Sequence, residues 1–140
     1  MNTLLIVDDD PGIRSLVAQW VRANGLEVIE AGSAAEALDR MAEHPAAIAL
    51  CDVNLPDRNG LWLAAQMRRQ FPQTALVMTT GYGLNALPSS LDADSIGFLP
   101  KPFTQLQLMR SVNWALEWQL GQTTGRRHLS DEIPNDSRRR

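Results

Sequence analysis

Three aspartates, Asp8, Asp9 and Asp10, stand side by side directly behind the apolar run LLIV at residues 4–7. Two carboxylates about 4 Å apart repel by roughly 4 kcal/mol at an effective dielectric near 20. A bound cation, a shared proton, or side chains that splay into water can each offset that cost. A further aspartate, Asp52, closes a second apolar run, AAIALC at residues 46–51. A carboxylate at a strand end, facing an acidic pair, suits two tasks: metal ligand, or covalent acceptor of a phosphoryl group. Magnesium unites them, because it takes oxygen ligands, keeps several waters and needs only one or two protein carboxylates beside phosphate oxygens. Such an ion would relieve the repulsion among Asp8, Asp9 and Asp52 and neutralise charge on an incoming phosphoryl group. Lys101 would pair with a phosphoryl oxygen as a compact positive charge, and the Thr79 hydroxyl would donate to another.

These residues need a scaffold that collects strand ends. Short apolar runs at residues 4–7, 26–31, 46–51, 75–78 and 96–99 read as buried strands. Helical patterns fall between them. Ile13, Leu16, Val17, Trp20 and Val21 share one helical face before the stop at Asn24-Gly25, and Ser33 is placed to cap a helix reaching about Ala42. Helices are also expected at 61–70 and from near Pro102 to about Leu120. Five strands with intervening helices indicate a parallel sheet covered on both faces. Ligands of such sheets gather at the carboxyl ends of the strands. That edge would carry the aspartates after strand one, Asp52 after strand three, Thr79 and Thr80 after strand four, and Lys101 after strand five. One helix is poorly written: GYGLNALPSSLDADS, with Gly81, Gly83 and Pro88, should be short or broken between strands four and five.

The chain of 140 residues is the size of one domain, and 44% hydrophobic with 21% charged residues is globular composition. A net charge of −3 gives no general electrostatic case for nucleic-acid binding. The single cysteine, Cys51, lies within an apolar run and suits a reducing cytosol. No signal-peptide pattern or span of membrane-crossing length is visible, so a cytoplasmic location is expected. Residues 1–120 read as the folded domain. Residues 121–140 read as a polar, disordered tail or linker, in which Asp131, Glu132 and Asp136 interleave with arginines.

Four stretches taken together, VDDDPGIR, CDVNLPDRNG, VMTTG and FLPKPF, resemble the receiver domain of bacterial two-component response regulators over roughly residues 3–120. The resemblance implies a flavodoxin-like, doubly wound five-stranded parallel sheet, (βα)5. It implies that Asp52 accepts a phosphoryl group from a sensor histidine kinase or phosphotransfer protein. Asp9 would then ligate Mg²⁺ directly, Asp8 mainly through water, and Asn54 through its backbone carbonyl. Thr79 matches the switch hydroxyl, Lys101 the family's lysine, Phe98 the aromatic switch position, and Lys101-Pro102 the usual cis peptide. Asp10 is then the surplus charge, set to cap the first helix with Pro11 at its first position. Thr80 stands where the family has alanine or another small residue. Slowed phosphotransfer or hydrolysis and simple accommodation are both open readings of that bulk.

Trp114 and Trp118 are offset from the stripe of Leu108, Val112, Ala115 and Leu116, and are assigned to a dimer or partner surface on the final helix. Trp62 is expected to face solvent, and His44 and His128 to be surface residues without metal-ligand spacing. The expected activity is that of a switch catalysing only its own phosphorylation and dephosphorylation. It would stand alone or form the N-terminal part of a longer, possibly transcriptional, regulator. Two rivals remain. A haloacid-dehalogenase-like phosphatase would use Asp8 and Asp10, although Gly12 stands where its threonine belongs and CDVNLPDRNG is left unexplained. The other is a receiver-like interaction module independent of phosphate.

Overall fold

Successive residues of each strand are apolar, and the pleat sends them to opposite faces. Leu5, Val7, Ala49, Cys51, Leu76 and Met78 enter one core, while Leu4, Ile6, Ile48, Leu50, Val77 and Leu99 enter another. A sheet buried on both faces is the result. The computed structural model describes residues 2–81 and 92–124. Its strands are β1 (Thr3–Val7), β2 (Glu27–Ala31), β3 (Ile48–Asp52), β4 (Ala75–Thr80) and β5 (Ile96–Pro100). All pair in parallel, in the order β2-β1-β3-β4-β5. Helices α2 (Ala34–Glu43) and α3 (Gly60–Gln70) cover the first core, through Ala37, Met41, Leu63 and Met67. Helices α1 (Pro11–Arg22) and α4 (Gln105–Thr124) cover the second, through Val17, Val21, Leu108, Val112 and Ala115.

Local chemistry sets the helix ends. The Asp10 carboxylate accepts from Gly12 N at 2.8 Å and Ile13 N at 3.3 Å, and Pro11 opens α1 without a wasted N–H. Gly25 turns the chain out of α1 with φ 88°, a conformation open to glycine at little cost. Ser33 Oγ caps α2 by accepting from Glu36 N at 3.1 Å. The last helix begins at Gln105 rather than near Pro102. The Lys101-Pro102 peptide is cis, and Thr104 then forms a reciprocal cap with Gln107. Gln107 N donates to Thr104 Oγ1 at 3.1 Å, and Thr104 N donates to Gln107 Oε1 at 2.9 Å. Thr104→Ala should therefore lower stability by about 1 kcal/mol, read from the midpoint of urea unfolding.

Five expectations need correction. Helix α4 runs to Thr124, beyond Leu120, because Gly121 keeps a helical backbone and is buried. Strand β4 extends through Thr79 and Thr80, which pair with Leu99 and Pro100 of β5 instead of following the strand. Trp118 is only 8% exposed and belongs to the core, so it offers no partner surface. Counting 3.6 residues per turn from Leu108 through Val112 and Ala115 brings the same stripe to Trp118. Trp114 is half-buried against Gly97, where a Cβ would lie 3.0 Å from the ring; the glycine makes room for the indole. Trp62 likewise packs partly against the α2–α3 core, with the Arg58 guanidinium 4.4 Å above its ring. The broken helix expected around Pro88 lies mostly outside the described residues, which resume before a short 3-10 turn at Ala93–Ser95. The tail expected to be disordered is outside them from residue 125 onward.

At the end of the sheet where the strands begin, Arg68 ties several elements together. Its guanidinium donates to the carbonyls of Pro72 and Thr74 at 3.2 Å and of Ser95 at 3.0 Å, and lies 4.6 Å over the Trp118 ring. Helix α3, the starts of β4 and β5, and α4 are thus fastened by one cation.

Candidate functional site

The carboxyl ends of β1, β3, β4 and β5 share the opposite edge. Asp8 follows β1 and is 3% exposed, Asp52 ends β3 and is 6% exposed, and Asp9 is exposed beside them. One carboxylate oxygen from each of Asp8, Asp9 and Asp52 lies within 4.8 Å of the others. From the far side of the sheet, Lys101 Nζ donates to Asp8 Oδ2 at 2.8 Å and to Asp52 Oδ2 at 2.9 Å. The remaining oxygens of the two buried aspartates are held by their own turns. Asp10 N donates to Asp8 Oδ1 at 2.9 Å, and Asn54 N donates to Asp52 Oδ1 at 3.0 Å. These bonds fix both carboxylates while leaving lone pairs free on oxygens that already carry charge.

Charge balance tests whether a metal suits the cluster. Three carboxylates against one ammonium leave a double negative charge, which a divalent cation would match. An all-oxygen donor set favours a hard ion of the magnesium kind over zinc or copper. Burial works to lower the Lys101 pKa, but hydrogen bonds and charge from Asp8 and Asp52 outweigh it and raise the value above its ordinary level. The neighbouring Cys51 thiol is fully buried and is pushed up to about 12, first by burial and then by the Asp52 charge. It stays protonated at neutral pH and is inert as a nucleophile.

Of the other expected site residues, Thr79, Thr80 and Asn54 are tied to this edge, while Phe98 lies midway along β5. Thr79 pairs in register with Asp52, and its carbonyl accepts from Val53 N at 2.9 Å. Thr79 and Thr80 are buried, and the Thr80 carbonyl accepts from Lys101 N at 2.9 Å. Phe98, on β5, is 40% exposed and sits beside Met78 of β4. Asn54 lies in the β3–α3 loop, bridged to Asn59. Asp10 is committed to capping α1, which removes one of the two carboxylates the phosphatase reading requires.

Three residues escaped the sequence reading. Arg14 reaches from α1, donating to the Asp8 carbonyl at 2.6 Å while its Nε lies 3.3 Å from Glu30. Gly60 packs so close to the backbone of Asp52 and Val53 that a Cβ would lie 2.7 Å from Val53 Cα. Asp57 accepts from Ala34 N and Ala35 N, both at 2.9 Å, which holds its carboxyl below the usual range. Glycine and acid in LPDRNG read only as turn chemistry, because their partners are tertiary.

Comparison with known proteins agrees with this arrangement. A family model described as the response regulator receiver domain matches residues 4–113. Curated relatives include the sensor kinase CckA of Brucella abortus, 35% identical over 84% of this chain and 13% of that protein. Another is the response regulator protein PilR of Pseudomonas aeruginosa, 34% identical over 96% of this chain and 29% of that protein. The chain therefore spans less than a third of the length of either relative. Among solved structures, a CheY-like receiver domain protein from Methanospirillum hungatei superposes with a TM-score of 0.80 at 27% identity, covering 87% of this chain and 98% of that one. The receiver domain of NtrX from Brucella abortus gives 0.74 at 30% identity, covering 81% and 98%. A doubly wound sheet of this strand order, matched by the family model from β1 well into α4, makes the chain a member of the response regulator receiver domain family.

Proposed function

We propose that Asp52 is the phosphoacceptor, that the donor is a phosphohistidine on a sensor kinase or phosphotransfer protein, and that the acidic cluster holds Mg²⁺. The observation carrying this reading is the convergence of Asp8, Asp9 and Asp52 on one edge with Lys101 bonded to two of them. In the reaction an Asp52 oxygen attacks phosphorus, a P–O bond forms, the P–N bond to the donor imidazole breaks, and the imidazole leaves with a proton. Magnesium, held by Asp8, Asp9, Asp52 and the Asn54 carbonyl, would neutralise charge on the transferring group. Lys101 supplies a fixed positive charge beside the accepting oxygen and stays with the phosphoryl group afterwards. Thr79, next to Asp52 in the sheet, donates its hydroxyl to a phosphoryl oxygen. That draws the β4–β5 edge toward the site and shifts the population of Phe98 from its exposed position inward.

The chain acts, on this reading, as a phosphoacceptor switch in the cytoplasm, with its output read by a partner, a second copy or a further part of a longer regulator. No described helix is long and apolar enough to cross a membrane. The test uses acetyl phosphate with Mg²⁺, followed by borohydride, which reduces an aspartyl phosphate to homoserine. The expected product carries homoserine at position 52 and forms only with the divalent ion. Label at another residue, or labelling that ignores chelation of the metal, would overturn the assignment.

A further inference from the structure

The first turn of α2 exposes N–H groups that the helix itself cannot satisfy. Ser33 serves one of them, accepting from Glu36 N through its hydroxyl, while its carbonyl takes Ala37 N in the first regular bond of the helix. Ala34 N and Ala35 N, at the first two positions of the helix, donate to separate oxygens of Asp57, which comes from the loop following Asp52. A two-pronged, charge-assisted clamp thus joins the β3–α3 loop to a helix 22 and 23 residues away. Only Leu55 and Pro56 separate the clamp from Asn54, and proline restricts the intervening backbone. The other end of the loop is fixed by Gly60 N donating to Val53 O at 2.6 Å and by the Asn54–Asn59 bridge.

We propose that Asp57 is a positioning residue for the metal site: its grip on the start of α2 fixes the loop that presents the Asn54 carbonyl. This rests on the reading of Asn54 as a Mg²⁺ ligand. Groups that orient a ligand in this way typically alter metal affinity by roughly 10- to 100-fold when removed. Asp57 is exposed, lies outside the acidic cluster and bonds the backbone amides of α2 and no strand, so its loss leaves the sheet pairing intact.

The experiment is a Mg²⁺ titration, without phosphodonor, by calorimetry on the full chain. Asp57→Ala removes both acceptors and should weaken binding about tenfold. Asp57→Asn removes the same charge but keeps one acceptor, and should fall between Asp57→Ala and the parent. Ser33→Ala loosens the same helix terminus without touching the loop and should leave the dissociation constant within about twofold, although its thermal midpoint drops. Amide exchange at Ala34 and Ala35 should quicken in Asp57→Ala. Unchanged Mg²⁺ affinity in Asp57→Ala would overturn the proposal. Equal weakening by Asp57→Asn and Asp57→Ala would overturn it too, by assigning the effect to lost charge. So would weakening by Ser33→Ala as large as that of Asp57→Ala. A parent chain that binds no Mg²⁺ would remove the metal reading itself, and this inference with it.

Discussion

Lys101→Met will destabilise the chain by about 2–4 kcal/mol at neutral pH, a loss visible as a lowered urea midpoint. The lysine is 20% exposed, but its partners are nearly buried, with side-chain exposures of 4% for Asp8 and 8% for Asp52. Deleting the cation leaves two carboxylates, crowded by Asp9, without the charge that offsets their desolvation. The pH dependence has a definite sign. The folded-state pKa of Lys101 is raised, so its contribution is complete below the unfolded value of about 10.4 and is lost as pH climbs through the higher folded value. The gap between parent and variant should therefore be level through the neutral range and narrow in strong alkali. Adding Mg²⁺ should stabilise the variant more than the parent, since a dication takes over part of the missing neutralisation. A variant with parental stability would mean that the ion pairs contribute nothing net.

Gly60→Ala is expected to cost about 3 kcal/mol or more and to slow labelling by acetyl phosphate at the same time. The added methyl group would overlap the Asp52 carbonyl oxygen and lie 2.7 Å from Val53 Cα and 2.9 Å from Asp52 C. All three are backbone atoms, which cannot rotate away as a side-chain tip can. Relief requires the first turn of α3 to back off from the end of β3, which displaces Asp52 and the Asn54 loop together. Unfolding midpoints and initial labelling rates should fall in the same variant. Normal labelling in a destabilised protein would show that the helix moved without disturbing the site.

Much of this fold is legible along the chain because the signals that set it are local. Apolar runs of strand length, Asp10 and Ser33 as caps, and Gly25 as a terminator each act within one helical turn or one strand. The gathering of Asp8, Asp9, Asp52 and Lys101 on one edge also follows, since parallel strands necessarily place their carboxyl ends together. The misreadings share a cause. The stripe of Leu108, Val112 and Ala115 points Trp118 outward when read as complete, yet a helix of 20 residues continues the same face for another turn. Asp57 and Gly60 answer to partners that no spacing rule connects: helix α2 for one, the backbone of β3 for the other. Thr79 belongs to β4 because β3 and β5 both continue its pairing, and Thr80 because β5 does, a condition set by register and not by the residues themselves.

The Arg68 anchor gives the molecule a mechanical asymmetry. With α3, the starts of β4 and β5, and α4 pinned around one guanidinium, that end of the sheet serves as a pivot. On the proposed reading, a pull delivered near Thr79 would swing the strand tips about this base, with displacement growing toward Thr80, Pro100 and the acidic edge and smaller at Phe98, halfway along β5.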